Sequence, residues 1–158
     1  MREQHNAEII RAFYEAFARR DADAMERCYH PDVTFRDPVF QDLEGRDKVM
    51  AMWRMLMGRS ADLHVSARDI TARSHDGTAH WTARYTFGKT GRKVVNEIDS
   101  LFRFEDGLIV RHRDQFDLGR WSRMAVGASG FLLGWTPMFK SRIRGTARQS
   151  LQEFMAAR

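Results

Sequence analysis

The sequence predicts an α+β domain in which helices pack on one curved antiparallel sheet. Two observations carry this. Apolar residues recur at helical spacing through the first sixty positions, apart from one short strand. Four strand-like runs then follow one another, separated by short turn signals. At 158 residues the chain suits one fold of ordinary size with a real hydrophobic core.

Ile9, Ile10, Phe13, Ala16 and Phe17 are helically spaced with charges between them, which predicts an amphipathic helix from about Glu3 to Arg19. In "RRDADAMERCY", Asp21 suits an N-cap for a short second helix ending before His30-Pro31. Val33–Asp37 reads as a strand running straight into proline. After the loop "PVFQDLEG", Arg46–Met57 returns to helical spacing through Val49, Met52, Trp53 and Leu56.

The runs "DLHVSARDITARS", "TAHWTARYTFG", "KVVNEIDSLFRF" and "LIVRHRDQFD" are separated by His75-Asp76-Gly77, Lys89-Thr90-Gly91 and Glu105-Asp106-Gly107. Turns this short imply antiparallel neighbours. Beyond Phe116 the pattern changes. "MAVGASGFLLGWTPMF" is uncharged and broken by three glycines and a proline, and "KSRIRGTARQSLQEFMAAR" reads as a final amphipathic helix. The chain therefore divides into a domain over 1–117 and an apolar, basic extension over 118–158.

Composition narrows the function. The apolar fraction of 43% and charged fraction of 30% are those of a soluble globular protein. One cysteine, Cys28, excludes an intrachain disulfide and a cysteine metal cage, which fits a reducing, cytoplasmic setting. The N-terminus has no apolar signal region, and no segment is long and apolar enough to span a bilayer. The net charge of +5 resides in the C-terminal part, where from Asp117 onward seven basic residues face two acidic ones. These are single arginines among apolar residues with no nucleic-acid motif, so no nucleic-acid partner is expected. His64, His75 and His80 show no metal-ligand spacing, and neither a metal nor a cofactor is expected. His30 in "YHPD" reads as a turn residue. The Met50, Met52, Met55 and Met57 cluster reads first as core filling, with some of it available to line a pocket or a dimer contact.

Strand parity marks an inward face. It holds Trp81, Ala83, Tyr85 and Phe87 on one strand and Val94, Asn96, Ile98, Ser100, Phe102 and Phe104 on the next. The last strand contributes Val110, His112, Asp114 and Phe116. Asp37 shares a face with Val33 and Phe35. An isolated buried carboxylate is costly, so three ionisable residues on inward faces suit a cavity better than a plain core.

The stretches "FYEAFARRDADAMERCYHPDVTFRDPVF", "LEGRDKVMAMW" and "FRFEDGLIVRHRDQFD" resemble the SnoaL-like branch of the nuclear transport factor 2-like superfamily, over about residues 5 to 117. That group includes ketosteroid isomerase, scytalone dehydratase and limonene epoxide hydrolase. The resemblance implies a cone, a curved sheet wrapped around three helices, with a deep apolar pocket at its wide end. Asp37 resembles the strand-end general base of ketosteroid isomerases, and Tyr14 falls where that enzyme has its oxyanion-hole tyrosine. "IDSLFRF" invites a match of Asp99 to the isomerase's oxyanion-hole acid. Alignment on Phe-Arg-Phe, however, leaves Asp99 one residue out of register and facing outward, so the isomerase constellation is incomplete.

Two readings stay open for each candidate. Asp37 is either a turn or capping residue or a pocket carboxylate. His112 and Asp114, two apart on one strand, form either a structural pair or an acid–base pair in which the aspartate orients the imidazole. With Asp37 they are the expected catalytic set, and Tyr14, Trp53, Trp81, Tyr85, Asn96, Ser100 and Phe102 are the expected ligand-binding residues.

For the whole chain the alternatives are a cofactor-independent acid–base enzyme (isomerase, dehydratase, cyclase or hydrolase) acting on a small, largely apolar molecule, and a non-catalytic ligand-binding or dimerisation module. A homodimer is expected. Trp121, Phe131, Leu132, Leu133, Trp135, Met138 and Phe139 are too apolar for solvent, so the extension is expected to pack on the pocket mouth or a dimer partner. Contact with a membrane surface is the remaining alternative.

Overall fold

The computed structural model describes residues 1–128 and 136–158. The extension's Phe131, Leu132, Leu133 and Trp135 lie outside the described residues. Helix α1 spans Arg2–Ala18 and α2 spans Ala22–Glu26, the latter capped by Asp21, whose side chain accepts from the Ala24 N–H at 3.0 Å. Then come β1 (Tyr29–Arg36), a two-residue β2 (Leu43–Glu44) and α3 (Arg46–Arg59). Strands β3 (His64–Ala72), β4 (Asp76–Thr86), β5 (Lys93–Glu105) and β6 (Leu108–Gln115) form the meander. Helices α4 (Leu118–Val126) and α5 (Pro137–Ala156) follow.

The six strands make one sheet in the order β2-β1-β6-β5-β4-β3. The meander is antiparallel throughout, as its short turns require. At the β5–β6 turn, Asp106 and Gly107 take φ of 54° and 74°, the left-handed pair that a tight hairpin needs. Strand β1 differs from the antiparallel expectation and runs parallel to β6. The two are separated by α3 and four strands, so no hairpin dictates their sense.

One face of the sheet is covered by α1 and α3. Ile10, Phe13, Tyr14 and Phe17 of α1 and Val49, Met50, Met52, Trp53, Met55 and Met57 of α3 are buried against it. All four methionines thus fill core. Gly77 makes close approach possible, since a Cβ there would lie 2.7 Å from Ile10 Cδ1 and 2.9 Å from the Thr71 carbonyl.

Alternation along β5 follows the expected parity, with Val94, Asn96, Ile98, Ser100, Phe102 and Phe104 all buried. On β6 it fails at one end. Ile109 is buried and Val110 is not, because the β5–β6 register shifts between Arg103 and Phe104. That bulge corrects the expectation that Val110 points inward, and leaves His112 and Asp114 on the core side.

The extension is tied to the sheet domain at two places. On α4, the Trp121 indole donates to Tyr85 Oη at 2.6 Å, while Arg92 and Thr90 bind the carbonyls of Met124 and Ala125. Helix α5 packs on α3 with Leu151 buried, and Arg144 Nε donates to the Pro38 carbonyl at 3.0 Å. Met138, in the first turn of α5, is 80% exposed on the single chain.

Candidate functional site

Six side chains from five elements join in one buried hydrogen-bonded chain. The Trp53 indole N–H donates to Tyr29 Oη at 3.0 Å, and Tyr29 Oη lies 2.7 Å from His112 Nδ1. His112 Nε2 lies 2.8 Å from Asp114 Oδ1, which also accepts from Ser100 Oγ at 2.5 Å. Tyr14 Oη lies 2.7 Å from Ser100 Oγ.

The donors fix the direction of the chain. Tyr29 already accepts from Trp53, so its own proton goes to His112 Nδ1. In that direction the His112 Nε2–H is aimed at Asp114. Ser100 gives its proton to Asp114, so Tyr14 gives its own to Ser100. Every donor points toward one ionised carboxylate. That charge raises the phenols of Tyr14 and Tyr29, already pushed well above the usual range by burial.

Aromatic packing holds the chain rigid. The His112 ring is 4.5 Å from Phe102, 5.1 Å from Phe35 and 5.6 Å from Phe13, and it stacks on Trp53 at 6.0 Å. His112 is 0% exposed, with one ring nitrogen engaged by Tyr29 and the other by Asp114.

Asp37 comes level with Asp114 in the β1–β6 register, since Arg36 pairs with Arg113. Asp114 in turn faces Ser100, and Ser100 faces Ala79, in one row across four strands. Pro38 ends β1, and the Asp37 carboxylate closes the turn by accepting the N–H groups of Val39 at 2.7 Å and Phe40 at 2.6 Å, both on Oδ1. Burial pushes its pKa up to about 7, with the Asp114 charge adding to the rise and the two N–H bonds opposing it. Asp37 is thus a turn residue and an ionisable group of perturbed affinity at once. Unlike His112, it keeps part of its surface open.

The expected ligand-binding residues separate into two groups. Tyr14, Trp53, Ser100 and Phe102 belong to the network or its aromatic shell, while Tyr85 is bound by Trp121. Trp81 packs among Tyr14, Phe17 and Trp53, yet its buried Nε1 has no hydrogen-bond partner among the described residues. Asn96 is buried on β5 opposite Ala83. Sequence reasoning missed Tyr29, which begins β1 four residues before the expected strand. The signal was its even spacing from Val33 and Phe35 across the intervening proline.

Asp99 faces outward, as its register implied. It is paired with His80 Nδ1 at 2.8 Å, while His80 Nε2 meets Glu97 at 2.6 Å. These carboxylates, Glu97 first, raise the His80 pKa. Among the described residues, His30, Glu105 and Asp106 bring potential ligand atoms within 4.8 Å of one another. His30 lies inside β1 rather than in a turn, and its Nδ1 accepts from the Asp32 N–H. Its Nε2 lies 3.7 Å from Asp106 Oδ2. No helix among the described residues is long and apolar enough to cross a membrane.

The curved sheet on two helices has the nuclear transport factor 2-like fold. Within it, a family model for the SnoaL-like domain matches residues 10–112, and the chain belongs to that family. The protein named "Probable cyclase otaY" of Aspergillus carbonarius is 28% identical over 94 residues, 58% of this chain and 72% of its own. Among solved structures, an NTF2-like protein of Burkholderia pseudomallei is 26% identical with a TM-score of 0.69, covering 77% of this chain and 98% of its own. A candidate polyketide cyclase of Xanthomonas campestris is 25% identical with a TM-score of 0.66, over 77% and 96%.

Proposed function

We propose that this chain is a cofactor-independent acid–base enzyme of the cyclase or isomerase type, acting on a small, largely apolar carbonyl compound. The observation that carries the reading is the row Asp37–Asp114–Ser100. Half-buried Asp37, its carboxyl pushed up to about 7, lies level with a buried Asp114 on which a hydrogen-bonded chain of four other side chains converges.

In this reading Asp37 is the proton carrier. It takes a proton from the carbon next to a carbonyl, the C–H electron pair moves onto the carbonyl oxygen, and the proton returns at another atom of the same molecule. A positioned base of this kind contributes about 10²–10⁴-fold, most effectively when its pKa lies near the working pH. Asp114 tunes Asp37 by its charge. His112, Tyr29 and Ser100 keep that charge in place. The relatives named as cyclases support this reading.

The engaged nitrogens of His112 and the close aromatic packing favour the second reading, a binding module without catalysis. Deuterium exchange separates the two. With 2-tetralone in D₂O, wild type is expected to accelerate exchange at the activated carbon, rising with pH to a plateau above about 7, and Asp37→Asn to abolish it. Exchange at the buffer rate for both proteins would leave the binding module standing.

A further inference from the structure

One bond from the extension reaches the turn that holds Asp37. Helix α5 carries Arg144, Ala147, Leu151 and Phe154 along one stripe at helical spacing. Leu151 is buried, and Ala147 and Phe154 pack against the core. That packing sets Arg144 half-buried at the N-terminal end of the stripe, where its Nε–H meets the Pro38 carbonyl at 3.0 Å. A guanidinium stays charged at any working pH, so the bond is a charge-assisted one.

The choice of acceptor links it to the carboxylate. The Pro38 carbonyl and the Val39 N–H belong to one planar peptide, and that N–H donates to Asp37 Oδ1 at 2.7 Å. The Phe40 N–H donates to the same oxygen at 2.6 Å but belongs to the next peptide. Within the turn, the Asp37 N–H donates to the Phe40 carbonyl at 2.8 Å, and Gln41 Nε2 donates to the Asp37 carbonyl at 3.3 Å. A cation on an amide oxygen polarises the N–H of that amide, so bonds in such a row strengthen one another.

We propose that Arg144 is a positioning residue for Asp37, acting through the peptide between Pro38 and Val39. This role rests on the reading of Asp37 above as proton carrier and adds a residue that governs it. The charged groups about the turn act differently. Asp114 on β6 opposes ionisation of Asp37, and Arg36 is occupied by Gln41 and Asp42. Arg144 favours ionisation, and it does so through the backbone rather than as an ion pair. The Asp37 carboxyl stays at about 7 because burial and Asp114 are opposed by two N–H bonds, of which Arg144 sharpens one.

Isotope labelling of aspartate carboxyl carbons, read by NMR, follows Asp37 directly, with its signal identified by its loss in Asp37→Asn. Arg144→Ala is expected to raise the Asp37 midpoint by about half a pH unit. The Val39 amide proton should move upfield as its bond weakens, and the Phe40 amide proton should move much less. Exchange of 2-tetralone should fall about threefold near about pH 6 and keep its plateau at high pH, because only the ionised fraction changes. Arg144→Lys keeps a charged donor and is expected to restore the wild-type midpoint. Arg144→Gln keeps a neutral donor and should raise the midpoint by less than alanine does; it serves in place of an alanine variant that does not fold. An unmoved midpoint in the folded variant, or equal movement of the two amide protons, overturns the role. A raised midpoint with no exchange catalysed by wild type supports the role of Arg144 and removes Asp37 as proton carrier.

Discussion

Two parts of the same inner surface treat their polar groups in opposite ways. Around Asp114, each donor has an acceptor and the chain of bonds has one direction. Around Trp81, in the next row of the sheet, an equally buried N–H has none. Both lie under the same aromatic cover, so burial alone does not explain the difference. The first part is finished by folding and holds a charge. The second is left incomplete by folding among the described residues.

The contrast breaks most sharply at Asp114. Asp114→Ala strands the His112 Nε2–H and the Ser100 hydroxyl at once, and is expected to cost about 3 kcal/mol or more in urea unfolding. Tyr29→Phe leaves the Trp53 N–H and His112 Nδ1 unpaired while the ring still packs, for about 1–3 kcal/mol in the same assay.

Asp37→Asn changes the pH dependence of stability. A carboxyl whose folded pKa is raised to about 7 binds its proton more tightly folded than unfolded. Its stabilising contribution is complete below the usual carboxylate pKa near 4 and is lost as pH climbs to about 7. The asparagine variant should therefore gain on wild type across that window, by roughly 1–3 kcal/mol between pH 4 and 8. Denaturant midpoints at the two pH values measure it.

The smallest effect is Trp81→Phe, expected to leave stability unchanged or to raise it by up to about 1 kcal/mol, since the lost N–H bonds nothing. A loss above about 2 kcal/mol in thermal or urea unfolding would show that the two parts are alike after all.

The elements of the fold were legible where local rules dominate. Asp21 marked its cap, the Asp106-Gly107 pair marked its turn, and β5 kept strict alternation over its whole length. What escaped depends on contacts between distant segments. The parallel pairing of β1 with β6 has no turn to announce it, and the Val110 inversion comes from a bulge whose cause lies on the neighbouring strand. At the site, strand parity placed Asp37, Asn96, Ser100, His112 and Asp114 on one face and Asp99 on the other. It could not say that Tyr29 would take His112 Nδ1, because hydrogen-bond direction follows from three-dimensional partners rather than from spacing.

Arg144 binds the Pro38 carbonyl from 106 positions away in the chain, and the matched family domain ends at residue 112. The turn that carries Asp37 is therefore fastened by a residue that lies outside the matched stretch. Proteins with the same domain and a different tail can hold an identical aspartate in a turn anchored differently, and so titrate it at another pH. In this lineage the working acidity of the site is open to adjustment by inheritance of its tail, with every residue of the inner face left as it was.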